Sequence, residues 1–240
     1  MMLSDVIRKS AEVLQIDEVK VAQEVQNMDG HRLTIMGGDN DHVYLDKDYR
    51  IERETEEDII RISKAKIVPK KLDKTLSKLD STLDKVQMGA VRTAAGSALM
   101  VLTGGPGTGK TTTVNTIIRY FELSGRSVAL AAPTGRAAKR MMEAPGREAR
   151  TQHRLLELGR SEDGDMGYGK NDGDPIEADV VIVDETSMMD IYIAHALFDA
   201  IETGTQVILV GDKNQLPSVG PGNGLDDIIM SGFCRVVELK

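Results

Sequence analysis

The chain has 240 residues, 40% of them apolar, with no tryptophan and only 3% aromatics, so Leu, Ile, Val and Met must fill its interior. That length suits one domain with a smaller appendage, or two small domains. A formal net charge of −8 argues against broad nonspecific nucleic-acid binding while leaving room for a local basic stripe, and one cysteine, Cys234, excludes an internal disulfide and fits a reducing cytoplasm.

The first residues, MMLSDVIRKSAEVL, lack the apolar core of a signal peptide, and no later run approaches membrane-spanning length, so no membrane partner is expected. The doubled methionine fits an appended start, with natural sequence expected ahead of it. Residues 4–27 read as two short helices, with apolar positions at Val6, Ile7, Val13 and Leu14 and then at Val19, Val21 and Val25. HRLTI (31–35) and HVYL (42–45) alternate as two strands, with GGDND between them as a turn. ERETEEDIIRISK (52–64) reads as a helix whose acidic start and basic end complement its dipole. Together these predict a small α+β, winged-helix-like module over residues 1–63, serving as a scaffold with no site of its own. Residues 64–85 are lysine-rich, with Pro69 near the start, and read as a linker whose lysines form a solvated face.

From 86 to 240 the pattern becomes α/β. Apolar runs at 98–103, 128–132, 180–183, 207–210 and 236–239 alternate with helix-compatible segments. Continuous β-branched runs predict strands buried on both faces, hence a parallel sheet flanked by helices and joined by right-handed crossovers. The segment 159–178 is polar and glycine-rich, with no readable function, and His195 reads as a surface helix residue.

Between the first strand and its helix stands GGPGTGKT (104–111), which matches the phosphate-binding loop G-x-x-x-x-G-K-[ST] in the strand–loop–helix context that the pattern requires. The loop residues Gly105, Pro106, Gly107, Thr108 and Gly109 would turn the backbone so that its N–H groups face a polyphosphate at a helix N-terminus. Lys110 would face the β- and γ-phosphates of ATP, Thr111 would offer its hydroxyl to Mg²⁺, and Thr112 would complete the nucleotide-binding set. In ADVVIVDETSMMD (178–190), a buried strand runs straight into two carboxylates. Asp184 is placed to hold Mg²⁺ through water, and Glu185 to orient or deprotonate an attacking water. In VILVGDKNQLPSVGPGN (207–223), Gln215 follows a strand end, where its amide could touch a γ-phosphate. Lys110, Glu185 and Gln215 are thus the expected catalytic residues.

A further run, 136–157, carries Arg136, Lys139, Arg140, Arg147, Arg150 and Arg154 against Glu143, Glu148 and Glu157. Six basic minus three acidic residues gives a local +3, a patch able to pair phosphates but without interleaved aromatics for base stacking.

Taken together, these segments resemble superfamily 1 DNA helicases, most closely the RecD-like branch. GGPGTGKTT is similar to that family's motif I, AAPTGRAAKRM (131–141) to motif Ia, TQHRLLE (151–157) to its TIHRLL element, VDETSMMD to motif II and GDKNQLPSVGPGN to motif III. LDKVQMGAV (83–91) resembles the glutamine-bearing segment ahead of motif I, which implies that Gln87 reads the adenine edge. The resemblance covers 83–239 and implies a RecA-like motor domain that couples ATP hydrolysis to 5′-to-3′ movement along single-stranded DNA, with other subunits of a helicase–nuclease complex as candidate partners. It places DNA contacts on Pro133, Thr134 and Arg136, while His153 stands either as a DNA contact or as a packing residue at a helix start. The family continues with motif IV and a second RecA-like domain that supplies arginine fingers. The chain stops at VVELK, so a fragment ending after the first motor domain is expected, with weak turnover by itself. Two other readings remain open: a nucleotide-gated DNA-binding module with negligible turnover, and the motor part of a conjugative relaxase.

Overall fold

The computed structural model describes residues 1–37, 41–69, 72–79, 83–142, 147–160, 166–215 and 218–240. They divide into two compact units, Met1–Glu54 and Thr55–Lys240.

The first unit contains helices α1 (Leu3–Leu14) and α2 (Glu18–Asn27), strands β1 (Leu33–Met36) and β2 (His42–Leu45), and the opening turns of α3 (Asp46–Ser63). Asp17 starts α2 by accepting a bond from the Val19 N–H at 2.8 Å, satisfying a donor that has no partner inside the helix. Ala11, Val21 and Val25 make a small core, with Val6, Ile7, Leu33 and Ile35 packed against it. The strands pair antiparallel, Leu33 opposite Leu45 and Ile35 opposite Val43. Most of the turn expected between them, at 38–40, lies outside the described residues. Asp46 anchors α3, accepting from the Thr34 hydroxyl at 3.0 Å and pairing with Arg50 at 3.1 Å, so the helix starts ahead of the expected position 52.

The second unit continues with α4 (Leu72–Leu76), α5 (Lys85–Gly96), β3 (Leu99–Gly104), α6 (Lys110–Leu123), β4 (Val128–Ala132), α7 (Gly135–Met141), β5 (Ala149–Thr151) and α8 (Gln152–Leu155). There follow β6 (Leu158–Arg160), β7 (Met166–Tyr168), β8 (Val180–Val183), α9 (Ile191–Asp199), β9 (Gln206–Gly211), α10 (Gly224–Ser231) and β10 (Arg235–Leu239). Six strands form one sheet in the order β10-β3-β9-β8-β4-β5, and every neighbouring pair is parallel. Five of them are the expected apolar runs. β5 is an addition: its three residues, ART, carry no hydrophobic pattern to read. The segment 159–178 contributes to a second small pairing, β6 antiparallel to β7, around residues 161–165 that are outside the described set.

The sheet is covered on both sides, and the period of two along each strand shows how. Met100, Leu102, Val180, Ile182, Ile208 and Val210 belong to a core with α5 and α6. Leu99, Val101, Val181, Val183, Val207 and Leu209 belong to a core with α9 and α10. Both faces of β3, β8 and β9 are therefore buried, which is why the sequence shows continuous apolar runs there rather than alternation.

Two expected boundaries shift. Ile59 and Ile62, at the end of α3, sit in the α9–α10 core. Arg61, held by Asp58 at 2.8 Å, donates to the carbonyls of Phe198 at 3.1 Å and Ile201 at 2.8 Å. Phe198 lies in the last turn of α9 and Ile201 just beyond it. The division therefore falls between Glu54 and Thr55 rather than after residue 63. Within the expected linker 64–85, Leu76 and Leu79 are buried in the α5–α6 core. Lys64, Lys66, Lys74 and Lys78 mark the solvated side of this segment, and Leu76 and Leu79 bind it to the domain.

Ile62 is fully buried, so Ile62→Ala should cost about 2–5 kcal/mol of stability in urea denaturation. Val68, 80% exposed in the same unit, should tolerate alanine within about 0.5 kcal/mol. Equal effects at the two positions would remove the end of α3 from the core.

Candidate active site

An all-parallel sheet brings the C-terminal ends of its strands to one edge, where such sheets place ligands. Along that edge stand the glycine loop after β3, residues 212–215 after β9, Asp184 and Glu185 after β8, Pro133 and Thr134 after β4, and Gln152 and His153 after β5.

The loop from Gly105 to Gly109 leads directly into α6, a 14-residue helix whose N-cap is Gly109 and which no side chain caps. The helix-start N–H groups and the positive end of its dipole are thus left for an anion. Gly107 and Gly109 adopt φ of +80° and +81°, the left-handed region that disfavours side chains. A Cβ on Gly109 would run into the Gln87 amide. Thr108 braces the loop by donating its hydroxyl to the Gly105 carbonyl at 2.8 Å. Pro106, Thr111 and Thr112 are exposed. Lys110 Nζ lies 3.5 Å from the Gly211 carbonyl at the end of β9, between the loop and the next motif.

Gln87 sits against this loop with its amide engaged. It forms a capping box with Asp84 at the start of α5: its Oε1 accepts from the Asp84 N–H at 3.1 Å, and the Asp84 carboxylate accepts from the Gln87 N–H at 2.8 Å. Its Nε2 reaches the Thr108 carbonyl at 3.4 Å.

Asp184 closes β8 and accepts the N–H of Glu185 at 2.9 Å. Burial pushes its carboxyl pKa above the ordinary carboxylate value and the neighbouring Glu185 charge adds to this, while that N–H bond and the charges of Lys110 and Arg140 pull the other way. Glu185 turns the chain with φ 54° and ψ 40°, a left-handed conformation uncommon outside glycine. Its Oε1 lies 3.2 Å from Arg140 Nη2 on α7. Gln215 meets the chain after Glu185 instead of the carboxylates: its Oε1 accepts from the Ser187 hydroxyl at 3.4 Å. Residues 216–217 of the same motif are outside the described set.

On the far part of the edge, Thr134 caps α7 by accepting the Ala137 N–H at 3.2 Å. Ala137, Ala138 and Met141 face inward, and Arg136, Lys139 and Arg140 face solvent. Pro133 and His153 are half-buried. The +3 patch is narrower than its composition. Arg147 is committed to Glu122 at 3.0 Å and Asn115 at 3.0 Å, Arg150 to Glu148 at 3.2 Å, and Arg140 to Glu185. Arg136, Lys139 and Arg154 remain without a carboxylate partner among the described residues.

Comparison with known proteins agrees with this geometry. A family model described as an AAA domain matches residues 87–221. The chain is 45% identical over 156 residues to the ATP-dependent RecD2 DNA helicase of Deinococcus radiodurans, covering 65% of this chain and 20% of that protein. It is 35% identical over 224 residues to the RecBCD enzyme subunit RecD of Mycolicibacterium smegmatis, covering 83% of this chain and 40% of that protein. It is 36% identical over 165 residues to the subunit of the same name from Haemophilus influenzae, covering 58% and 25%. The chain is a RecD-like member of the AAA domain family. It spans between 20% and 40% of the length of these relatives.

The RecD-like motifs thus meet along one edge, and the fold class is as the residues suggested. Two relations within the RecD-like site carried no sequence signal: Arg140 on Glu185, and Ser187 on Gln215. Each joins residues far apart in sequence, and no spacing rule links them. Asp84 could have been found, because Asp84-x-x-Gln87 has the pattern of a capping box at a helix start.

The loop glycines should differ in what they tolerate. Gly109→Ala meets both a left-handed φ and the Gln87 amide, and should cost about 1–2 kcal/mol, lowering Tm by roughly 3–8 °C. Gly105→Ala, with nothing within 4 Å of the added methyl, should leave Tm within about 1–2 °C. Thermal denaturation that ranks them the other way would contradict the loop geometry.

Proposed function

We propose that this chain is the ATP-hydrolysing motor of a DNA helicase, acting along single-stranded DNA in the 5′-to-3′ direction. The observation that carries the reading is the edge itself, where a phosphate-binding loop, a carboxylate pair and a basic helix follow one another on β3, β8 and β4.

In this reading the N–H groups of Gly105 and of Gly107 to Thr112, together with the Lys110 ammonium, bind the phosphates of ATP. The Thr111 hydroxyl and the Asp184 carboxylate hold Mg²⁺, which when bound neutralises charge on the phosphate oxygens. The donor set fits: a hydroxyl and a carboxylate are oxygen donors, and Mg²⁺ commonly takes one or two protein oxygens together with substrate phosphates and water. Glu185 orients the attacking water and accepts its proton as the water oxygen bonds to the terminal phosphorus and the bond to the leaving diphosphate breaks. Gln215, beside Ser187, is suited to pass the state of the terminal phosphate to the turn after Glu185. Gln87 reads the adenine edge, which requires its amide to leave the capping box. Pro133, Thr134, Arg136 and His153 form the DNA side, with Arg136 as the principal phosphate contact. The RecBCD names of two relatives support other subunits of a helicase–nuclease complex as partners. The lone cysteine supports a cytoplasmic setting.

Lys110→Ala removes a cation that faces two phosphates and should weaken ATP binding about 10–100-fold by calorimetry, with the fold intact. Unchanged affinity would refute the loop assignment. Glu185→Gln should retain Mg–ATP binding and lose about 10²–10⁴ in turnover, since an amide cannot accept the water's proton. Turnover near that of the parent would move the base elsewhere.

Replacing Arg136 and Lys139 by Ala should weaken single-stranded DNA binding and flatten its salt dependence by about one unit of slope for each phosphate no longer neutralised. An unchanged slope would route the DNA away from α7.

A further inference from the structure

We propose that Lys213 is a positioning residue: by pairing with Glu238 across the end of β3, it holds in place the turn that carries Gln215 over the phosphate site. The inference rests on the function just proposed, in which Gln215 answers to the terminal phosphate of ATP.

The observation is a row across the sheet. Glu238 on β10 stands opposite Thr103 on β3, and Thr103 stands opposite Gly211 on β9. Beyond this row β3 passes into the phosphate-binding loop and β9 into residues 212–215. Lys213 doubles back over the row. Its N–H donates to the hydroxyl of buried Thr103 at 3.3 Å, and its Nζ meets a Glu238 carboxylate oxygen at 2.9 Å. The ion pair thus reaches from the turn after β9 past β3 to β10, joining two strands that share no ladder.

The same turn has two other holds, and both belong to groups that face ATP in the proposed function. Lys110 Nζ lies 3.5 Å from the Gly211 carbonyl, and Gln215 accepts from the Ser187 hydroxyl at 3.4 Å. When Lys110 turns to the phosphates and Gln215 to the terminal one, both holds are given up. The contacts of Lys213 with Thr103 and Glu238 involve no group assigned to the nucleotide, so they persist through that exchange. The turn itself is tight: the Asn214 N–H donates to the Asp212 carboxylate at 3.0 Å, and the Gln215 N–H to the Asp212 carbonyl at 3.0 Å. A shift at Lys213 is therefore passed on to Gln215. Anchored, the turn presents the Gln215 amide already ordered, and less is lost on engaging a phosphate. The side chains of Lys213 and Glu238 are 39% and 43% exposed, so the pair carries a few-fold effect and not orders of magnitude. It adjusts the response to the terminal phosphate and leaves the fold alone.

The test is calorimetry with Mg²⁺ and either ADP or the β,γ-imido analogue of ATP, since only the analogue carries a terminal phosphate. Lys213→Ala and Glu238→Ala should each weaken binding of the analogue about two- to fivefold and leave ADP unchanged. The double variant should bind no more weakly than either single one, because each already breaks the pair. Charge alone acts differently: losing a lysine near phosphates weakens their binding, and losing a glutamate strengthens it. Opposite signs for the two single variants would therefore overturn the proposal. So would additive losses, equal losses for ADP, or unchanged affinity for the analogue. Gln215→Ala separates the levels. If it lowers the preference for the analogue over ADP while Lys213→Ala does not, only this inference falls. If it leaves that preference intact, Gln215 does not answer to the terminal phosphate, and its role in the proposed function falls as well.

Discussion

The constraint on which the site depends is burial of the sheet on both faces. Once Val180 through Val183 and Gln206 through Gly211 are covered on both sides, the strands leave only their edges and ends for other work. Parallel pairing throughout then sends each strand end to the same side. Two carboxylates, a lysine, a glutamine and a basic helix, scattered over more than a hundred residues of sequence, share one edge for that reason. No local feature of those residues would bring them together. Their proximity comes from the hydrophobic pattern of the strands that carry them.

This is also why so much of the site could be read before the fold was known. A run such as VVIV is apolar throughout because both its faces are buried, and a polar residue that interrupts it marks a strand end. Asp184 and Glu185 announce themselves this way, as does the loop before Lys110. What could not be read falls into two physical classes. β5 is too short to show any period, and its place beside β4 is fixed by pairing alone. The lysine-rich segment before α5 shows its composition from the solvent side, while two of its leucines, Leu76 and Leu79, determine where it lies. The basic patch errs in the same direction. Composition counts charges, but pairing decides which of them face outward uncommitted, and Arg147 with Arg150 are already matched by Glu122 and Glu148.

The first unit answers to different physics. Its core is small, built on Ala11, Val21 and Val25, and several apolar side chains stay at its surface, among them Val13 and Val19. The helix order and hairpin were legible because periodicity and alternation are local signals, whereas the start of α3 at Asp46, ahead of the expected position 52, was not. The end of α3 belongs to the larger unit because Ile59 and Ile62 are apolar on one helical face while Arg61 finds carbonyls at the end of α9. A helix boundary and a domain boundary thus differ, since one is set by backbone hydrogen bonds and the other by where side chains are buried.

Four of the polar groups proposed for function share one further property. Lys110 rests on the Gly211 carbonyl, Gln87 on Asp84 and Thr108, Gln215 on Ser187, and Glu185 on Arg140. Each has an internal partner, so a ligand must exchange one interaction for another and gains only the difference. The difference is largest where the internal partner is poor, as for Lys110, whose charge meets a single neutral carbonyl at 3.5 Å. It is smallest where the partner is already charged, as for Glu185. A site built this way separates its tasks by energy. In the proposed function, phosphate would then bind at the weakly held lysine and the uncapped start of α6, whereas Glu185 would first have to leave a charged partner.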